Sequence, residues 1–324
     1  MDRRGFVQGG LATVAVLAAV PVLAQEKAPG KRNLLLASGV PYGTFNAVGQ
    51  AICNLTNTQG GETFACKPRG TAGSVANVNS LGRRIDELGI AQADVVWFAA
   101  NGTREWDGKP VQTLRIVLPL YFEAITLVTR ADAKIESVAD LKGKTVSIGN
   151  AGSGARVNAL DVLSWYGLEP GRDFVAQNLD LTHAVTKMAA REIDAFFFTV
   201  GHPTEAITKL AESTLISLVS IDGPPVEAAL QRQPYYVSGN LPSRLYRGVI
   251  APVRTVGVRA LLVTHDGLPP DTIYAFTKAL VEQWDGLRAA HRAVQPFRPE
   301  DIGRQTAAPY HPGAIRYLRE RGFL

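Results

Sequence analysis
Apolar and polar positions along the chain switch between two periods. Residues 33–37, Asn33 followed by three leucines and Ala37, form an almost unbroken apolar run, the mark of a strand buried on both faces. A polar, glycine-containing stretch over 38–45 comes next. Val48, Ile52 and Leu55 then fall at helical spacing. The order recurs with a strand at 64–67, a loop at 69–74, and a helix carrying Val75, Val78 and Leu81. A third strand, 88–91, ends at Gln92-Ala93-Asp94. Repeated strand–loop–helix units describe half of an open parallel sheet, where ligands sit outside the carboxyl ends of the strands.

Residues 97–111 read as a loop-like excursion. Residues 114–130 are strongly β-like and interrupted by Pro119 and Tyr121-Phe122-Glu123. A long extended run at mid-chain is a candidate crossover between lobes. The pattern then restarts. Residues 138–141 form a helical turn and 145–148 a short strand. The Gly/Ser loop 149–154 leads into a helix with Ala159, Val162, Leu163 and Tyr166 on one stripe. An edge strand at 174–177, a helix at 182–191 and a buried strand at 194–198 follow. Residues 84–92 and 191–199 share a layout of helix end, acidic residues, apolar strand and polar exit, which suggests two lobes of like construction. Residues 215–221 are β-like, 223–254 are proline-rich and irregular, and 260–264 are a second candidate crossover. A long helix over 272–290 and a last helix from His311 complete the chain.

The loop 149–154 is the pivot of this reading. A strand, a glycine loop and a helix start leave backbone N–H groups free to hold an anion. An ordinary turn in which glycine only relieves crowding has the same composition.

A hydrophobic content of 46% and a charged content of 19% describe a globular protein. The net charge is +5, but the basic residues are scattered and no basic stripe interleaves with aromatics, so nucleic acid is not an expected partner. Arg3 and Arg4 precede an apolar run over 11–24 that is too short for a stable span, and Val22-Leu23-Ala24 at its end offers a cleavage point before Gln25-Glu26. This is a signal-peptide layout over 1–24, and Arg3-Arg4-Gly5-Phe6-Val7 also resembles a twin-arginine signal. The expected location is the periplasm, with a mature protein that does not span the membrane. The two cysteines, Cys53 and Cys66, are either a disulfide or two buried thiols. An oxidising compartment makes the disulfide the expectation.

Catalytic patterns are missing from the sequence. Ala72-Gly73-Ser74-Val75-Ala76 lacks both outer glycines of a nucleophile elbow. His183, His202, His265, His291 and His311 show no metal-ligand spacing. No catalytic residue, metal or cofactor is expected. Asp94 and Glu123 form a possible carboxylate pair, with polar lining as the plainer reading. His202 at a strand exit is a ligand contact or simple turn chemistry. Arg156, in the first turn after the glycine loop, is a clamp for a carboxylate or a solvated arginine. Tyr42, Phe45 and Tyr121 are candidate pocket walls, and Phe196-Phe197-Phe198 is core.

Several strings in this order resemble the TAXI-type solute-binding proteins of TRAP transporters, across nearly all of the mature sequence. They are Gly43-Thr44-Phe45, Thr71-Ala72-Gly73-Ser74-Val75-Ala76-Asn77, Ala139-Asp140-Leu141-Lys142-Gly143-Lys144, and Ser147-Ile148-Gly149-Asn150-Ala151-Gly152-Ser153-Gly154. Ile193-Asp194-Ala195-Phe196-Phe197, Gly201-His202-Pro203, Thr255-Val256-Gly257-Val258, Ala260-Leu261-Leu262-Val263-Thr264 and His311-Pro312-Gly313-Ala314 continue the set. The cysteine pair also looks like one found in many members. The resemblance implies an α/β fold of the type II periplasmic binding protein kind: two lobes, each with a mixed, mostly parallel sheet, joined by crossover strands. Lobe 1 would be 25–122 plus 260–324, and lobe 2 would be 123–259. It implies a receptor that closes on a small anionic organic solute, glutamate-like or a dicarboxylate, and delivers it to a TRAP-type membrane permease. It implies neither catalysis nor ATP. The implied pocket is Gly43, Thr44, Phe45, Thr71, Gly73, Ser74, Gln92, Tyr121, Glu123, Ser153, Gly154, Arg156, Thr199 and Gly201. This chain departs from the family pattern at Pro41-Tyr42-Gly43, at Phe45-Asn46 and at Ala72, where glycines and a Tyr-Tyr pair are usual. An enzyme on the same fold, or a sensing module for a membrane signalling protein, is the alternative use of such an architecture.

Overall fold
The computed structural model describes residues 1, 31–303 and 307–324. Residues 2–24 of the export-signal reading lie outside the described residues. The chain runs β1 (Arg32–Gly39), α1 (Thr44–Gln59), β2 (Phe64–Gly70), α2 (Ser74–Gly82), β3 (Leu88–Gln92), α3 (Ala93–Asn101) and β4 (Leu114–Arg130). It continues β5 (Thr145–Ser147), α4 (Gly154–Trp165), β6 (Val175–Gln177), α5 (Leu181–Ala189), β7 (Ala195–Val200), α6 (Glu205–Ser213) and β8 (Ile216–Val219). It ends α7 (Pro224–Arg232), β9 (Val237–Leu241), β10 (Val253–His265), α8 (Pro270–Glu282), α9 (Trp284–Ala290) and α10 (Pro312–Glu320).

The strands lie in the order β2-β1-β3-β10-β4-β7-β5-β6, with β8 beside β4 and β9 beside β10. β1 pairs parallel with β2 and β3 in one half, and β5 pairs parallel with β6 and β7 in the other. β4 and β10, 17 and 13 residues long, are antiparallel to each other and thread both halves. The first part of β4 pairs with β10 and, at Ile116, bridges to Tyr310, whereas Ala124–Thr129 pairs with β7. This is the two-lobed α/β arrangement with crossover strands that the sequence leads one to expect. Pro119 does not end β4. It stands opposite Leu261 beside a register shift, the kind of irregularity at which a strand tolerates proline.

Successive residues of each strand feed cores on opposite faces of the sheet. Ala260 and Leu262 pack with α1 and α8, and Leu261 and Val263 with α2 and α3. In the other half Ala195 and Phe197 pack with α4, and Phe196 with α5 and α6. Cys53 on α1 and Cys66 on β2 are bonded, with Cα atoms 4.9 Å apart, so the free-thiol alternative does not hold. Among the described residues no helix is long and apolar enough to cross a membrane.

Three segments differ from the periodicity reading. Residues 97–101 belong to α3 rather than to a loop. Its faces are nearly all buried, so no polar stripe marks it as a helix. The stretch 223–254 contains α7, started by a proline at its first turn, and β9. The helix over 272–290 is two helices, broken at Gln283, where the N–H turns back to Leu280.

Candidate functional site
The strand-end loops bring three helix starts together at the junction of the lobes. Gly43 caps α1, Gly73 caps α2, and Ser153 caps α4 from the opposite lobe. Their first-turn N–H groups have no preceding carbonyl in their own helices. The macrodipole of each adds partial positive charge there. Between them lies a cavity of about 50 Å³, bounded also by Gln92, Glu123 and Thr199. That is space for a few water molecules, so the lobes are closed upon each other.

Contacts across the cleft hold the lobes together. The Thr44 hydroxyl donates to Gly201 O (2.6 Å), and the Thr204 hydroxyl to Tyr42 O (3.0 Å). Ala76 N donates to Gly152 O (3.0 Å), and Asn150 Nδ2 to Ala72 O (3.2 Å). The approach is backbone on backbone at Gly73. Its φ of 125° favours glycine, and a Cβ there would stand 3.2 Å from Ser153 Cα.

The structure assembles most of the expected pocket. Gly43, Thr44, Phe45, Gly73, Ser74, Gln92, Glu123, Ser153, Gly154 and Thr199 all line the cavity. Several hydroxyls already have partners. Ser74 Oγ accepts from Gln92 N (3.2 Å), and Ser153 Oγ accepts from Arg156 N and donates to Asn150 O. What these helix starts offer a solute is therefore chiefly backbone N–H groups.

Five expected residues do not line the cavity. Tyr42 is 57% exposed, with Lys209 over its ring. Thr71 ties its loop together, accepting from Gly39 N and donating to Asn77 Oδ1. Gly201 supplies its carbonyl to Thr44. Tyr121 is fully buried beneath Gly201, where a Cβ would lie 2.7 Å from the ring. Arg156 faces away, its guanidinium on Asn178 in a separate open groove. Two residues past Gly154, it is rotated about 200° around α4 from the cleft side.

Asn150, Ala155 and Phe198 line the cavity although the sequence did not mark them as ligand contacts. Asn150 lies inside the glycine loop, which was the available signal. Phe198 ends an apolar run and reads as core. His202 also lies elsewhere, bonded to Thr126 Oγ1 and Tyr246 OH at 2.7 Å each. Burial pushes its imidazole down to about 3, so it is neutral.

Two buried carboxyls shape the electrostatics. Glu123 is held well above the usual carboxylate range by burial, then by the nearby Asp94. Hydrogen bonds from the Gln92 side chain and the Gly201 N–H act the other way. Burial likewise pushes Asp94 up to about 7, against hydrogen bonds from the Val95 N–H and the Asn158 side chain. Asn158 Nδ2 donates to Asp94 Oδ2 (2.6 Å) across the lobe junction. The Tyr236 hydroxyl donates to Asp161 Oδ2 (2.9 Å), and Arg104 pairs with Asp161 at 2.7 Å. Glu123 lines the cavity, and Asp94 takes part in the bonding across the lobe junction.

Solved structures share this architecture. The chain is similar to the periplasmic binding protein BugD at 10% identity and a TM-score of 0.55, over 90% of this chain and 94% of that one. It is similar to a protein of Bordetella bronchiseptica RB50 at 15% identity and a TM-score of 0.54, over 89% of each. At such identities the likeness is one of fold, that of the periplasmic binding proteins. The sequence model of the NMT1-like family matches residues 36–322. The chain therefore belongs to the NMT1-like family.

Proposed function
We propose that this protein is an extracytoplasmic receptor. It closes its lobes on a small organic acid and hands it to a membrane permease of the TRAP type. It acts as a carrier, without catalysis. The observation that carries this reading is the small cavity at the lobe junction, on which three helix starts from both lobes converge. Each supplies N–H donors and a positive dipole end to a carboxylate. Binding bends β4 near Phe122 and Glu123 and β10 near Arg259 and Ala260, so that 25–122 with 260–324 moves against 123–259. The TRAP partner rests on the motif resemblance, and the periplasmic address on the signal-like residues 1–24.

The test is a thermal-shift screen of carboxylates and amino acids on refolded, ligand-stripped protein. A ligand at 100 times its Kd stabilises the closed form by about 2.7 kcal/mol. A rise of several degrees for one class of acid is the expected result, and a flat screen overturns the reading. Co-purification from membranes distinguishes a permease from a signalling partner.

A further inference from the structure
A second set of contacts joins the lobes beside the cavity, made by residues that do not line it. Asp94 on α3 and Arg104 just after that helix stand on one side. Asn158 and Asp161 on α4, with Tyr235 and Tyr236 before β9, stand on the other. Asn158 Nδ2 donates to Asp94 Oδ2 and to the Tyr236 hydroxyl (3.0 Å), which in turn donates to Asp161 Oδ2. Arg104 closes the chain on Asp161 Oδ1 from the solvent edge. The Tyr235 ring packs on Trp97 and Phe98 of α3, with centroids 5.4 and 5.1 Å apart. Asp94, Asn158, Asp161 and Tyr236 are all buried, a burial that separation of the lobes would undo.

The cluster is out of balance in two ways. It seals two carboxyls against one guanidinium. It is also short of hydrogen-bond donors, because Asp94 Oδ1 and Asn158 Oδ1 are buried without a partner. One proton on Asp94 balances the charge and turns an orphan acceptor into a donor. Asp161 has less call for that proton, since its two oxygens already accept from Arg104 and Tyr236.

We infer that these residues form a clasp between the lobes whose lock is one proton on Asp94: the lobes close with Asp94 protonated and are released as it ionises. The clasp rests on the lobe motion of the receptor reading above. The groups that face Asp94 favour the proton or leave it undisturbed. Asp161 on α4 adds its negative field. Glu123 on β4 is itself held protonated, by burial and then by Asp94. Tyr235 is pushed up to about 12 by burial and then by Asp161 and Asp94, and Tyr236 is pushed up by burial and then by the same two carboxyls, so both stay neutral. Burial raises Asp94 from 3.8 to about 7 in the closed form. In the open form water returns to it and the shift is lost. Closure therefore has its full support below 3.8. The closed-to-open ratio falls about tenfold per pH unit from there to about 7, and no further above it.

Small-angle scattering of the ligand-stripped protein at pH 5 and pH 8, with no solute added, tests this. The radius of gyration should be larger at pH 8. Asp94→Asn is neutral at every pH and can still accept from Asn158, so it should stay compact at both. Glu123→Gln should keep the step, which assigns it to Asp94. Arg104→Gln removes the clasp's one cation and should move the step to lower pH, a shift that a packing role would not produce. Arg104 is half-exposed, so this variant serves even if Asp94→Asn folds poorly. A radius indifferent to pH in both the parent and Arg104→Gln, or a step that survives in Asp94→Asn, overturns the clasp. If an acid nonetheless stabilises the protein in the thermal-shift screen, the receptor stands without the clasp. A pH step beside a flat screen keeps the clasp and overturns the receptor.

Discussion
Gly154 and Gln92 come from opposite lobes and leave no room between them for a methyl group. A Cβ on Gly154 would stand 1.5 Å from Gln92 Oε1 and 2.9 Å from Ser74 Oγ. Glycine at the first position of α4 is therefore a condition of closure, beyond any role in the turn.

Gly154→Ala should weaken solute binding by roughly ten- to a hundredfold, because overpacking of about 1–3 kcal/mol falls on the closed form alone. The Gln92 amide would have to swing into the solute's space. Each lobe keeps its own core, so unfolding without solute should change little. Calorimetric Kd values with small-angle scattering check this: equal affinity and equal compactness in variant and parent would contradict it.

Stability should fall with rising pH across the weakly acidic range. Asp94 is raised from 3.8 to about 7, chiefly by burial, so the folded form holds its proton more tightly than the unfolded chain does. The associated stability is fully present below 3.8 and is lost as pH rises toward about 7. At about 1.4 kcal/mol per pKa unit, the loss is a few kcal/mol. Glu123 acts with the same sign. Asp94→Asn, which can keep the bond from Asn158, should raise Tm at pH 8 more than at pH 5. A variant whose pH profile parallels the parent's would refute the assignment.

The Cys53–Cys66 bond closes a loop with a sequence separation of 13. In the chain-entropy model it contributes about 3 kcal/mol. The Cys53→Ala/Cys66→Ala double variant should unfold at correspondingly lower denaturant with unchanged Kd, because neither residue lines the cavity. Urea titrations with and without reductant measure the difference, and insensitivity of the parent to reductant would count against it.

Arg156→Ala should leave affinity within about twofold, as for a surface substitution of roughly 0.5 kcal/mol or less. The guanidinium bonds Asn178 outside the cavity. A tenfold loss in Kd would show that Arg156 turns into the cleft when solute binds.

Much of the architecture is written locally in the chain. The buried strand at β1, the glycine loop before α4 and the crossover at β4 are runs of adjacent residues whose backbone preferences and apolar content need no distant partner to be recognised. α3 escaped because a helix buried on nearly all sides has no amphipathic stripe. β9 escaped because a strand paired only at the end of β10 carries few apolar residues.

By itself the sequence determined which loops end the strands, and so that Thr44, Ser74 and Ser153 stand at helix starts. Only the tertiary structure decided which way the side chains there point and what they meet. Arg156 turns from the cleft through helical rotation, Tyr121 sinks beneath Gly201, and the Thr44 hydroxyl is taken by Gly201. Glu123 and Asp94, 29 positions apart in the chain, become neighbours, and the field of Asp94 adds to burial in raising the proton affinity of Glu123. The reason is physical. Backbone N–H groups at a helix start follow from local conformation, whereas burial, desolvation and charge coupling depend on which distant surfaces the closed lobes press together.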